Sequence, residues 1–156
     1  MNNIHNKLIT REKIENVINK YMGDTPIYIN NIKKFQRAFI HKSFCIVDSD
    51  NSDSDNYSVI DMDSVTLFNN ERLEFLGDAM LSSVIAAHLY KKVPTGDEGY
   101  LTKMLSKIVS RDHLNELGKD FNLVQFIESK VSPTHFGDNI HGNLCEAFIG
   151  AIYLDK

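Results

Sequence analysis

The sequence predicts an all-α domain. Three observations lead there: apolar residues recur at helical steps of three and four, two segments read as helices apolar on nearly every face, and strand-like alternation is scarce. The 156 residues, 42% of them hydrophobic, allow one domain with one compact core. No internal repeat is visible.

Residues 1–9 are a polar lead. Thr10 is suited to cap a first helix in which Ile14, Val17, Ile18 and Tyr21 recur at i, i+3, i+4 and i+7, and Gly23-Asp24-Thr25-Pro26 breaks it. A second helix is expected over about 31–43. Val47 to Asp63 is rich in Ser, Asp and Asn, poor in apolar residues, and reads as a long mobile loop. A third helix runs from about 70 to 92 and stops near Pro94-Thr95-Gly96. The next begins after Asp97, with Leu101, Met104, Leu105 and Ile108 on its core side. Lys103, Lys107 and Arg111, four apart, are expected on its other face, as a solvated stripe or as a rail for phosphates. A short helix at about Asp112–Leu117, a loop holding Pro133 and Gly137, and a last helix over about 140–154 complete the chain.

The chemistry concentrates on the third and last helices. Glu71, Glu74 and Asp78 lie at steps of three and four, on one face of a helix whose other residues (Leu73, Phe75, Leu76, Met80, Leu81, Val84, Ile85, Leu89) are apolar all round. Such a helix is expected to run through the core. Carboxylates there are costly unless an Arg, a Lys or a metal meets them. In the last helix Asn143 and Glu146 share a face, with Ala147, Gly150 and Ala151 beside them. A mid-helix glycine costs roughly 1 kcal/mol against alanine, a cost that makes sense where another backbone comes close. The two helices are therefore expected to cross near Gly77 and to gather Glu74, Asp78, Asn143 and Glu146. Oxygen donors of this kind suit a hard cation, Mg²⁺ or Mn²⁺. The competing reading is of ordinary helix-surface acids, with Glu71 in the first turn favoured by the helix dipole.

Composition narrows the classes. The formal charge is −4, yet six of the 21 acidic residues (Asp48, Asp50, Asp53, Asp55, Asp61 and Asp63) lie between Ser43 and Asn70 with no Lys or Arg among them. The rest of the chain carries 17 basic against 15 acidic residues, so strong unspecific polyanion binding is not implied. Cys45 and Cys145 have no metal-ligand spacing and fit a reducing compartment better than a disulfide. Cys145 reads as a packed core residue, not a nucleophile. The polar N-terminus holds no signal peptide, and no apolar run approaches the roughly 20 residues of a membrane span. A cytoplasmic or nuclear protein is expected, not a secreted one.

The segment Asn70-Glu71-Arg72-Leu73-Glu74-Phe75-Leu76-Gly77-Asp78-Ala79-Met80-Leu81 closely resembles the signature of the ribonuclease III catalytic domain. Arg37 to Phe44 resembles the family's upstream helix with its His-basic-Ser-aromatic ending. Glu98 to Lys103 and Ile108-Val109-Ser110 resemble the segment after the signature, and Glu146 to Asp155 the closing motif. Four motifs in order cover most of residues 33–156. The resemblance implies the family's helical endonuclease bundle, metal ligation by Glu74, Asp78 and Glu146, and an auxiliary Glu71. It also implies Mg²⁺ (or Mn²⁺) as cofactor, double-stranded RNA as substrate, and a homodimer into whose partner subunit Phe75 inserts. The chemistry so implied is metal-assisted in-line attack of water on a phosphodiester, leaving 5′-phosphate and 3′-hydroxyl ends. A-form duplex is recognised by shape, so little base specificity is expected.

One departure stands out. The family's fourth ligand is an aspartate three residues before the last glutamate, and here that position is Asn143, which keeps a carbonyl oxygen but lacks the charge. It puts catalytic rate in doubt and keeps a second reading open, an impaired ribonuclease III-like module that binds structured RNA. Metal-dependent cleavage of a long RNA duplex separates the two. A nucleotide hydrolase, the third reading, would act on mononucleotides and not on duplex. The loop at 47–63 is longer than the family's usual connection and reads as an acidic insertion, either a solvated tether or a flap near the substrate groove. In many members a separate double-stranded-RNA-binding domain follows; none is read within these residues.

Overall fold

Six helices account for most of the described chain: α1 (Arg11–Asn19), α2 (Ile32–Ala38), α3 (Glu71–Lys92), α4 (Glu98–Ile108), α5 (Arg111–Asp120) and α6 (Ile140–Asp155). They are seen in a computed structural model that describes residues 8–21, 24–45, 69–132 and 135–156. The acidic loop expected at 47–63 lies outside the described residues. Among those residues there is no strand, only an isolated parallel bridge between Ile40 and Glu128.

The helix starts follow side-chain chemistry. Thr10 accepts a hydrogen bond from Lys13 N, Asn31 from Lys33 N, Asp97 from Tyr100 N and Ser110 from His113 N, each relieving an orphan donor of a first turn. α3 uses the residue before its cap, since Asn69 Oδ1 accepts from Glu71 N at 3.0 Å.

The core is organised around α6. Leu144, Cys145, Ala147, Phe148 and Ala151 are all buried along it, and α2, α3 and α5 pack against it. Phe148 meets Phe35 edge-on at 5.7 Å between ring centres, and Phe39 bridges Phe148 and Phe126. At the far end of α6 the buried Asp155 carboxylate accepts from the backbone N–H groups of Asn30 and Asn31, both at 2.7 Å. These bonds fix α6 against the entry to α2.

Four expectations need correction. The second helix stops at Ala38 instead of 43, because Phe39 to His41 pair with Glu128 (Glu128 N to Phe39 O 2.8 Å, His41 N to Glu128 O 2.9 Å) before a 3₁₀ turn at Lys42–Cys45. Tyr21 lies beyond the end of α1, and its ring instead meets Phe121 edge-on. The short helix at 112–117 is longer, because Ser110 caps a new start and α5 runs to Asp120. The largest difference is α3, which does not run through this chain's core. Only Leu73, Gly77 and Leu89 are buried on it, while Phe75 is 78% exposed, Tyr90 75% and Val84 60%. Apolar side chains say that water is to be excluded, not by what, and a helix apolar all round can serve two neighbours.

Candidate metal centre

The site is built on the closest approach of two helices. A Cβ on Gly77 would collide with the Glu146 carbonyl oxygen and stand 3.0 Å from Gly150 N. A Cβ on Gly150 would collide with the Leu73 carbonyl oxygen and stand 3.2 Å from Gly77 N. The backbones of α3 and α6 therefore touch, as the glycines in the sequence imply. The carboxylates on either side of Gly77 are carried to the middle of α6.

Glu146 is 2% exposed, with Asn143 half-buried one turn before it. Burial raises the Glu146 pKa above the ordinary carboxylate range, and the charges of Asp78 and Glu74 raise it further, against the opposing pull of Arg111. Glu74, half-buried, is raised as well: burial is the largest cause, Glu71 and Asp78 add to it, and Arg111 and Lys42 oppose it. Asp78 is exposed. Glu71, also exposed, meets Lys42 Nζ at 3.2 Å and accepts from Asn69 Nδ2 at 3.3 Å.

The cation that meets the buried acid is Arg111. Its Nη1 donates to Glu146 Oε2 at 3.1 Å and to Asn143 Oδ1 at 2.9 Å. The four-residue spacing in the sequence sets Arg111 on one helix face with Lys103 and Lys107. The structure separates them, because α4 ends at Ile108 and Ser110 restarts the chain as α5, from whose first residue Arg111 reaches α6. Lys103 and Lys107 stay on the exposed side of α4. α5 reaches α6 through a second close approach, since a Cβ on Gly118 would collide with the His141 carbonyl oxygen. The role of Arg111 at the acids does not show in the sequence pattern. Its one signal is Ser110, a helix cap inside an otherwise continuous four-residue spacing.

A hinge of hydrogen bonds holds the start of α3. Asn70 N donates to Ile40 O at 2.9 Å, and Arg37 Nε to Asn69 O at 3.4 Å. Ser43 Oγ lies 2.8 Å from His41 Nδ1 and accepts from Lys130 N, while Ser43 N donates to the same His41 nitrogen. An Nδ1 that accepts a backbone N–H belongs to a neutral ring. Burial, with Lys42 adding to it, lowers the His41 pKa accordingly. The thiol of buried Cys145 is pushed up to about 12 by burial and by Glu146, which fits a packed core residue.

Among the described residues, no three His, Cys, Asp or Glu side chains stand together as a ready-made metal cluster, and a guanidinium sits on two of the expected oxygens. The donor set nonetheless fits a hard divalent cation. Glu74, Asp78 and Glu146 repel one another at the crossing, and every donor is an oxygen.

The model of the Ribonuclease-III-like family matches residues 31–156. The chain belongs to that family. Ribonuclease 3 of Flavobacterium psychrophilum is 57% identical over 139 residues, which are 89% of this chain and 50% of the relative. Ribonuclease 3 of Zunongwangia profunda is 52% identical over 90% of this chain and 51% of the relative. The chain thus spans about half the length of the curated relatives it matches. The nuclease domain of ribonuclease III from Campylobacter jejuni, which has a structurally flexible region involved in dimer formation, superposes with a TM-score of 0.67. It is 29% identical over 94% of this chain and 86% of that one. The all-α fold is thereby that of a ribonuclease III nuclease domain. As a ribonuclease-III-like chain it carries its acids on two crossing helices, with an asparagine and an arginine at one edge of the set.

Proposed function

We propose that this chain is the nuclease domain of a metal-dependent endoribonuclease that cuts double-stranded RNA, leaving 5′-phosphate and 3′-hydroxyl ends. The observation that carries the reading is the buried Glu146 carboxylate, repelled by Glu74 and Asp78 across the Gly77–Gly150 contact. The names of relatives support it, since two of them, at more than half identity, are called Ribonuclease 3. The impaired RNA-binding module is the weaker reading, because Glu74, Asp78 and Glu146 are all retained at a crossing where uncompensated charge is costly.

In this reading Glu74, Asp78, Asn143 and Glu146 hold the ion, Mg²⁺ or Mn²⁺, with Glu71 at the rim. When bound, the divalent ion supplies an acidified water and charge for the departing oxygen. The chain's own part is to hold ligands rigidly. Gly77 and Gly150 bring the two backbones together, and the packed faces of α6 exclude water from Glu146. Asn143 offers a carbonyl oxygen without charge, so the site holds its ion less tightly than an all-carboxylate one. Lys103 and Lys107, exposed on α4, are the proposed contacts for the phosphate backbone.

A second copy of the chain is the proposed cover for α3. Phe75 is 78% exposed on it, a large apolar ring that a two-fold interface would bury. The related Campylobacter jejuni nuclease domain, with its region involved in dimer formation, supports a second copy as the partner. Among the described residues no helix is long and apolar enough to cross a membrane. The relatives are bacterial, which supports the cytoplasm over a nucleus as the place of work. We take residues 1–156 as one nuclease domain with an acidic insertion at about 47–63.

The test is incubation with a long RNA duplex and Mg²⁺, followed by analysis of product ends, with Glu146→Gln alongside. Cleavage by the native chain and none by the variant supports the reading. Duplex binding without cleavage by both would favour the RNA-binding module.

A further inference from the structure

The contact of Arg111 with Glu146 and Asn143 goes further than pairing a buried acid. One nitrogen, Nη1, is within hydrogen-bond distance of Asn143 Oδ1 and Glu146 Oε2 together. Those are oxygens that a divalent ion would use, on the two α6 residues assigned to it. The Glu146 side chain is 3% exposed, while that of Arg111 is 53% exposed. The acid is therefore fixed in the protein and its partner stands at the solvent edge, on the first residue of α5. A carboxylate so placed needs a cation whether or not metal is present.

We propose that Arg111 is a built-in placeholder cation, which neutralises Glu146 in the metal-free site and must leave Asn143 and Glu146 for the divalent ion to bind. The inference rests on the reading of the crossing as a metal centre. Two cations compete for one pair of oxygens, so the affinity for metal is lowered by whatever the guanidinium contributes there. In return the metal-free chain keeps its buried acid paired. The departing side chain has somewhere to go, because its outer half already faces water. No bond is made or broken in the exchange; one cation replaces another.

The test is Mn²⁺ binding by calorimetry, without RNA, on the native chain and on Arg111→Gln, Arg111→Lys and Glu146→Gln. Arg111→Gln is expected to bind Mn²⁺ roughly twofold to fivefold more tightly, the size of effect that a half-exposed ion pair supports. Its thermal midpoint without metal should fall, and the deficit should narrow at saturating Mn²⁺. Arg111→Lys, whose shorter side chain keeps the charge but carries it less far toward the two oxygens, should lie between the two in Mn²⁺ affinity and serves if Arg111→Gln does not fold. Equal or weaker Mn²⁺ binding in the Arg111 variants, with binding lost in Glu146→Gln, overturns the placeholder and leaves the metal centre standing. Unchanged Mn²⁺ binding in Glu146→Gln overturns the metal centre and the placeholder with it.

Discussion

Gly77 and Gly150 face each other with no side chain between them, so that a Cβ on either would come within 3.2 Å of the other's backbone nitrogen. The contact sets the spacing of α3 and α6 and hence of every acid in the site. Neither obstructing group is the flexible end of a side chain; each is a peptide carbonyl inside a helix. Gly77→Ala gains helix propensity worth roughly 1 kcal/mol and still should destabilise, because overpacking against fixed backbone costs about 1–3 kcal/mol or more. Urea unfolding should show a net loss for Gly77→Ala and a larger one for Gly150→Val. A more stable Gly77→Ala would mean that the helices stand further apart.

The crossing was legible in the sequence because a glycine beside acids on an apolar helix weakens that helix unless another backbone needs the space. The surroundings of α3 were not. Phe75, Val84 and Tyr90 carry the same apolar signal as Leu73 and Leu89, and no periodicity tells an internal neighbour from an external one. Arg111 was hidden for a local reason. Its spacing from Lys107 continues that of Lys103, and only the cap at Ser110 shows that the chain has begun another helix.

Self-association tests the proposed cover of α3. Burying a phenylalanine side chain contributes about 1.5–3 kcal/mol, and a two-fold interface would count Phe75 twice. Phe75→Glu should shift sedimentation from dimer to monomer at micromolar concentration while leaving the helical far-ultraviolet signal intact. An unchanged dimer would place the interface elsewhere.

Asn143→Asp restores the charge that the family's aspartate would supply. Mn²⁺ affinity should rise, and duplex cleavage at limiting Mg²⁺ should increase on the order of tenfold, a change of about 1.4 kcal/mol in the barrier. Arg111, already 2.9 Å from Asn143 Oδ1, should pair with the new carboxylate and raise the metal-free thermal midpoint. If neither affinity, rate nor midpoint moves, residue 143 does not face the ion.

His41 gives a pH dependence of known sign. Burial, then Lys42, lowers its pKa below the ordinary 6.5, so the folded protein binds fewer protons than the unfolded chain just below that value. Its contribution to stability is present above pH 6.5 and is lost as pH falls through the lower folded value. Glu146 and Glu74, raised by burial, act oppositely: their contribution is present below about pH 4.5 and is lost as pH rises through their folded values. The His41 part is isolated by comparison with His41→Asn, whose carbonyl oxygen can accept the Ser43 N–H without titrating. In chemical denaturation the native chain should lose stability relative to the variant as pH falls from 7.5 to 5; parallel curves would contradict it.

The central claim is that the α3–α6 crossing binds a divalent cation through Glu74, Asp78, Asn143 and Glu146. The most direct measurement is anomalous diffraction from crystals soaked in Mn²⁺. A peak within coordination distance of Glu146, Asp78 and Glu74, with the Arg111 guanidinium drawn off the Glu146 carboxylate, is the result expected. No peak at saturating Mn²⁺, or one only at acids remote from the Gly77–Gly150 contact, would contradict the account.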